Sequence, residues 1–105
     1  MRPDLDLEAL KQVLRSGPPL RLAVLFGSAA RGELHAGSDI DIGILPSDPA
    51  MPFQAEADLQ LELLRACGRE VDLVRLDQVP TLLRGQIARD ARLLFETRQG
   101  EFVRF

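Results

Sequence analysis

The chain is 105 residues long, 46% hydrophobic and 28% charged, with a formal net charge of -3. This is globular composition at a length suited to one domain spanning residues 1-105, and it excludes a disordered or low-complexity polypeptide. The acidic balance offers no general attraction to a nucleic-acid backbone, and no apolar run approaches the roughly 18 residues of a membrane span, so neither partner is expected.

Cys67 is the only cysteine, which rules out an internal disulfide and fits the reducing cytoplasm. It reads as a small apolar residue in a helix. The N-terminus, Met-Arg-Pro-Asp-Leu-Asp, lacks the apolar core of a signal peptide.

Asp4 or Asp6 can cap a first helix whose apolar positions Leu7, Leu10, Val13 and Leu14 share one face, and Gly17-Pro18-Pro19 stops it. Leu20 to Phe26 is an apolar run of strand length, broken only by Arg21 and ending at Gly27. Ser28-Ala29-Ala30-Arg31 can then form one helical turn before Gly32 breaks it. Ile40 to Leu45 reads as a second strand closed by Pro46, and a turn-rich linker follows to Pro52. Phe53 to Cys67 carries Ala57, Leu59, Leu63, Leu64 and Ala66 at helical spacing, with Gly68 placed to cap its end. Val71 to Leu76 is a third strand. Pro80 opens a helix to about Asp90 with Leu83 and Ile87 on its buried face, weakened by Gly85, and Leu93 to Thr97 adds a last strand. The expected fold is α+β, a mixed sheet with flanking helices.

Asp39 and Asp41 alternate with Ile40 and Ile42, so a strand projects both acids from one face and sends the isoleucines into the core. Two residues of strand rise separate the acids by about 6-7 Å at the backbone, from which their side chains can converge on metal ions roughly 3.5-4 Å apart. An ordinary half-exposed strand shows the same alternation. What favours a site is Gly27-Ser28 just upstream, where a buried strand gives way to a helical turn whose backbone N-H groups suit an anion and whose glycine admits a phosphate closely.

The Gly-Ser turn ends the first strand and the acids begin the second, so only an antiparallel pairing brings them together. The short link between them favours that pairing. Asp72, near the start of the third strand, joins the cluster if that strand runs parallel to the second, with the Phe53 to Cys67 helix as crossover. Glu70 is the competing third acid. Arg31 either reaches a phosphate or pairs with Glu33 on the surface, and His35 reads as an exposed loop residue without metal-ligand spacing.

Gly27-Ser28, ten intervening residues, then Asp39-Ile40-Asp41, with Glu70-Val71-Asp72-Leu73-Val74 downstream, resembles the signature of the minimal nucleotidyltransferases of the DNA polymerase β superfamily. The resemblance implies a palm-like fold. It also implies that Asp39, Asp41 and Asp72 form the catalytic and metal-binding set for two Mg²⁺ ions, with Asp72 helping to deprotonate the acceptor. Gly27, Ser28 and Arg31 would hold the triphosphate of ATP.

Small members of this family are paired with a HEPN-domain toxin, and the resemblance implies an antitoxin that transfers AMP to a tyrosine of that partner. The sequence has no tyrosine of its own to serve as acceptor. Two other readings stay open: an antitoxin that neutralises its partner by covering it, and a transferase for a small hydroxylated molecule whose acceptor pocket would need a dimer. The apolar C-terminal residues Phe102, Val103 and Phe105 allow docking to a partner or a second copy, or folding back over the domain's own core.

Overall fold

The computed structural model describes residues 6-33 and 39-97, so His35 and the C-terminal apolar residues lie outside the described residues. The first helix, α1 (Leu7–Ser16), begins where Asp6 Oδ1 accepts a hydrogen bond from the Ala9 amide at 3.1 Å, which settles the cap on Asp6. Leu10 and Leu14 of α1 are buried, and Leu7 and Val13 pack against the same core. The chain then runs through β1 (Leu20–Phe26), α2 (Gly27–Ala30), β2 (Ile40–Pro46), α3 (Phe53–Cys67), β3 (Val71–Arg75), α4 (Thr81–Asp90) and β4 (Arg92–Glu96). None of the described helices is long and apolar enough to cross a membrane.

The strands form one mixed sheet in the order β3-β2-β1-β4. β1 is antiparallel to both of its neighbours, whereas β2 and β3 are parallel, as expected for a pair joined by the α3 crossover. Gly68 ends α3 with a φ of 70° in the left-handed region, its amide donating to Leu64 O at 2.7 Å.

Each face of the sheet builds a separate apolar cluster. On one, Leu10 and Leu14 of α1 and Leu59 and Leu63 of α3 cover Ala23, Leu25, Ile40, Ile42 and Ile44. On the other, Leu22 and Val24 meet Leu76, just after β3, and Ile87 of α4. Strand alternation alone would place Leu20 with Leu22, yet Leu20 belongs to the first cluster, because the β1-β2 register shifts between these residues and turns it over. A second shift against β4 accompanies Leu94 and Phe95 packing into that same cluster although they are adjacent.

Two expectations need correction. Leu83 was expected on the buried face of its helix but is 43% exposed, and its neighbour Leu82 is 78% exposed. The cause is where α4 is fastened: Ile87 enters the second cluster and Asp90 pairs with Arg31, so the helix is held by its C-terminal half and its first turn stands clear. Pro46 does not close β2 from outside but is its last residue, opposite Leu20.

Arg75 is the one buried charge among the described residues, at 7% exposure. Its guanidinium donates to both oxygens of Asp77 at 3.2 and 2.8 Å, to Met51 O at 2.8 Å and to Pro49 O at 3.0 Å. These bonds satisfy the buried cation and tie the linker before α3 to the end of β3.

Candidate active site

β1 ends in Phe26, whose register partner is Asp41, and Asp41 is in turn the register partner of Asp72. Phe26, Asp41 and Asp72 therefore stand in a row across three strands, on the face opposite Ile40 and Ile42. Both pairings anticipated from the sequence are present. Glu70 falls outside the row: it precedes β3, and its carbonyl accepts from the Ile40 amide at 2.9 Å. Asp39 lies just before β2 and is exposed, as is Asp72, while Asp41 is half-buried.

Gly27 opens α2 at φ 71°, a conformation that side chains rarely adopt. A Cβ on Gly27 would overlap the Asp41 Oδ2 and lie 3.2 Å from its Cγ. The missing side chain thus leaves room for the Asp41 carboxylate beside the turn. The turn closes through Arg31 N to Gly27 O at 3.2 Å and Glu33 N to Ser28 O at 2.9 Å. The first amides of such a turn have no acceptor within it and remain available to an anion.

Burial, then the charges of Asp72 and Asp39, push the Asp41 carboxyl above the ordinary carboxylate range, against a smaller opposing pull from Arg31. Burial and like charges on one face thus disfavour the ionised form of Asp41. Among the described residues, no three His, Cys, Asp or Glu side chains are gathered closely enough to hold a metal ion as they stand. What the backbone supplies is the alignment of the carboxylates, from which a cation would draw the side chains inward.

Arg31 follows α2 and makes two ion-paired contacts. Nε donates to Glu33 Oε1 at 3.0 Å, the surface pair anticipated from sequence, and Nη1 donates to Asp90 Oδ2 at 2.8 Å. Asp90 carried no recognisable signal, because its partner lies 59 residues away and only the docking of α4 brings them together. A groove of about 440 Å³ between α1 and α3, lined by Val13, Pro18, Leu59 and Glu62 among others, belongs to the opposite face of the sheet from the carboxylates.

A family model described as polymerase beta, nucleotidyltransferase matches residues 8–100. The protein adenylyltransferase MntA of Shewanella oneidensis is 37% identical over 84 residues, which cover 80% of this chain and 60% of that protein. The chain thus spans less than two thirds of that relative's length. Among solved structures, a toxin-antitoxin crystal structure with AMP-PNP superposes at a TM-score of 0.82 with 34% identity, covering 94% of this chain and 80% of that one. The tri-AMPylated Shewanella oneidensis HEPN toxin in complex with MNT antitoxin gives a TM-score of 0.69 and 29% identity, with 93% and 79% covered. A matched model over nearly the whole chain, joined to a shared fold and to carboxylates aligned beside a Gly-Ser turn, makes the chain a member of the polymerase β nucleotidyltransferase family, in its minimal nucleotidyltransferase branch.

Proposed function

We propose that the chain is a single Mg²⁺-dependent nucleotidyltransferase domain that moves AMP from ATP to a tyrosine of a HEPN-domain toxin in the cytoplasm, acting as its antitoxin. The observation that carries the chemistry is the pairing of Asp41 with Asp72 on one face of the sheet, with the Gly27-Ser28 turn packed against the Asp41 carboxylate. The similarity to an AMP-PNP complex supports the nucleotide, and the similarity to an AMPylated toxin complex supports the acceptor.

The donor set fits magnesium, which prefers oxygen ligands and commonly joins one or two carboxylates to substrate phosphates. Asp39, Asp41 and Asp72 would hold two ions, and bound cations would offset both the burial and the neighbouring negative charges that raise the Asp41 pKa. Such ions supply charge stabilisation to the attacking and leaving oxygens of an in-line displacement. Gly27 and Ser28 offer backbone amides to the triphosphate, and Arg31 adds a permanent cation suited to phosphate oxygens. The tyrosine oxygen attacks the α-phosphorus and forms an O-P bond as the bond to the β-phosphate breaks. Pyrophosphate leaves, and the hydroxyl proton passes to the Asp72 carboxylate.

Incubating the purified protein with α-labelled ATP, Mg²⁺ and the HEPN toxin encoded beside it tests the proposal, with the Asp39→Ala/Asp41→Ala double variant as control. Label on a toxin tyrosine with wild type alone is expected. A tight complex without label would overturn catalysis in favour of neutralisation by covering, and label on a small hydroxylated molecule would overturn the protein acceptor.

A further inference from the structure

Asp90 is the last residue of α4, and its charge works against its own helix. A carboxylate at a helix C-terminus adds to the partial negative charge of the last carbonyls, so the stability of α4 alone favours no acid there. Its contact lies elsewhere: Asp90 Oδ2 accepts from Arg31 Nη1 at 2.8 Å, and from another direction Glu33 Oε1 accepts from Arg31 Nε at 3.0 Å. The guanidinium plane is held along two edges by carboxylates from two segments of the chain. It is also near enough to Asp41 to act on its charge.

We propose that Asp90 is a positioning residue for the nucleotide: with Glu33 it holds Arg31 oriented beside the Gly27–Ala30 turn, so that a triphosphate meets a cation already in place. This rests on the nucleotidyltransferase reading and adds to it a residue outside the sequence motif. An unheld arginine surrenders the freedom of a long side chain when it captures a phosphate, whereas one fixed by folding has already lost it. Because Arg31 would contact phosphates in the ground state and the transition state alike, losing its hold weakens nucleotide binding and leaves kcat nearly unchanged. The opposite arrangement, in which Asp90 competes with the triphosphate for Arg31, predicts the opposite sign.

The test is calorimetric titration of the full chain with a non-hydrolysable ATP analogue and Mg²⁺, which needs no acceptor. Asp90→Ala is expected to raise Kd by about 3-10-fold, and Asp90→Glu to recover most of the affinity. In an Arg31→Ala background, adding Asp90→Ala should change Kd no further, since the two act as one unit. Unchanged or tighter binding by Asp90→Ala overturns the inference, as does an equal loss in both backgrounds, which would mark Asp90 as merely structural. Absence of analogue binding by the wild type overturns the nucleotidyltransferase reading, and this inference with it.

Discussion

Asp41 of β2 and Asp72 of β3 are direct register partners across a parallel strand pair, so their backbones stand a single strand spacing of about 4.8 Å apart. The pairing is held by apolar neighbours on the other face, where Ile40 and Ile42 of β2 and Val71 of β3 are buried under α3. A slip of one residue would send a carboxylate into that core, which is why the register is firm.

Asp72→Asn keeps the shape of the side chain and removes its ability to take a proton. Labelled-AMP transfer to the toxin is expected to fall by roughly 10²-10⁴-fold, the usual contribution of a positioned general base. The Glu70→Gln variant should retain activity within a few-fold, because Glu70 stands outside the row. Transfer by Asp72→Asn at the wild-type rate would remove Asp72 from the chemistry.

Gly27 and Gly32 share nearly the same backbone angle, at φ 71° and 75°, but differ in surroundings: a Cβ on Gly27 meets Asp41, whereas one on Gly32 meets nothing within 4 Å. Gly32→Ala should therefore cost only left-handed strain, about 1 kcal/mol in chemical denaturation. Gly27→Ala carries the same strain and also displaces the Asp41 carboxylate, so it should lose nucleotide binding as well. Equal effects of the two substitutions on nucleotide affinity would refute the crowding at Gly27.

The raised Asp41 pKa has a thermodynamic sign. Folded chain keeps the Asp41 proton to higher pH than unfolded chain, whose carboxyl titrates near the ordinary value of 3.8. Between that value and the raised folded value the native state binds more protons, so this group's contribution to stability declines as pH rises through the window, and the full penalty is present above it. In the presence of a chelator, Asp41→Asn should melt higher than wild type at pH 7. The advantage should shrink as the pH falls below the folded value. Adding Mg²⁺ should raise the melting temperature of wild type more than that of Asp41→Asn, as read by differential scanning fluorimetry.

Arg75 predicts a purely structural defect. Arg75→Ala leaves the buried carbonyl of Met51 and its neighbour Pro49 without their donor, and a loss of about 2-4 kcal/mol in urea denaturation is expected. Arg75→Lys should recover little, because a single ammonium cannot span both Asp77 oxygens and the two carbonyls. A lysine variant as stable as wild type would show that charge alone is sufficient there.

Much of the site is readable in the order of residues because its components are local. The alternation of Asp39-Ile40-Asp41-Ile42 needs only the two-residue period of a strand, and the turn at Gly27-Ser28 needs only a glycine where an apolar run stops. Strand directions follow from link length, since a short connection favours antiparallel neighbours and a helix supplies the parallel crossover. Tertiary packing decided what distance in sequence conceals. That Asp72 and not Glu70 stands beside Asp41 depends on the register that α3 imposes on β2 and β3. The contact of Gly27 with the Asp41 carboxylate depends on how closely two strand ends approach. The exposure of Leu83 and the bond from Arg31 to Asp90 depend on where α4 docks, and its C-terminal half, with Ile87 as its one buried residue, carries that docking where helical periodicity alone allowed Leu83 to share it. Periodicity is a property of neighbours along the chain, whereas register and docking are set by the burial of groups tens of residues apart.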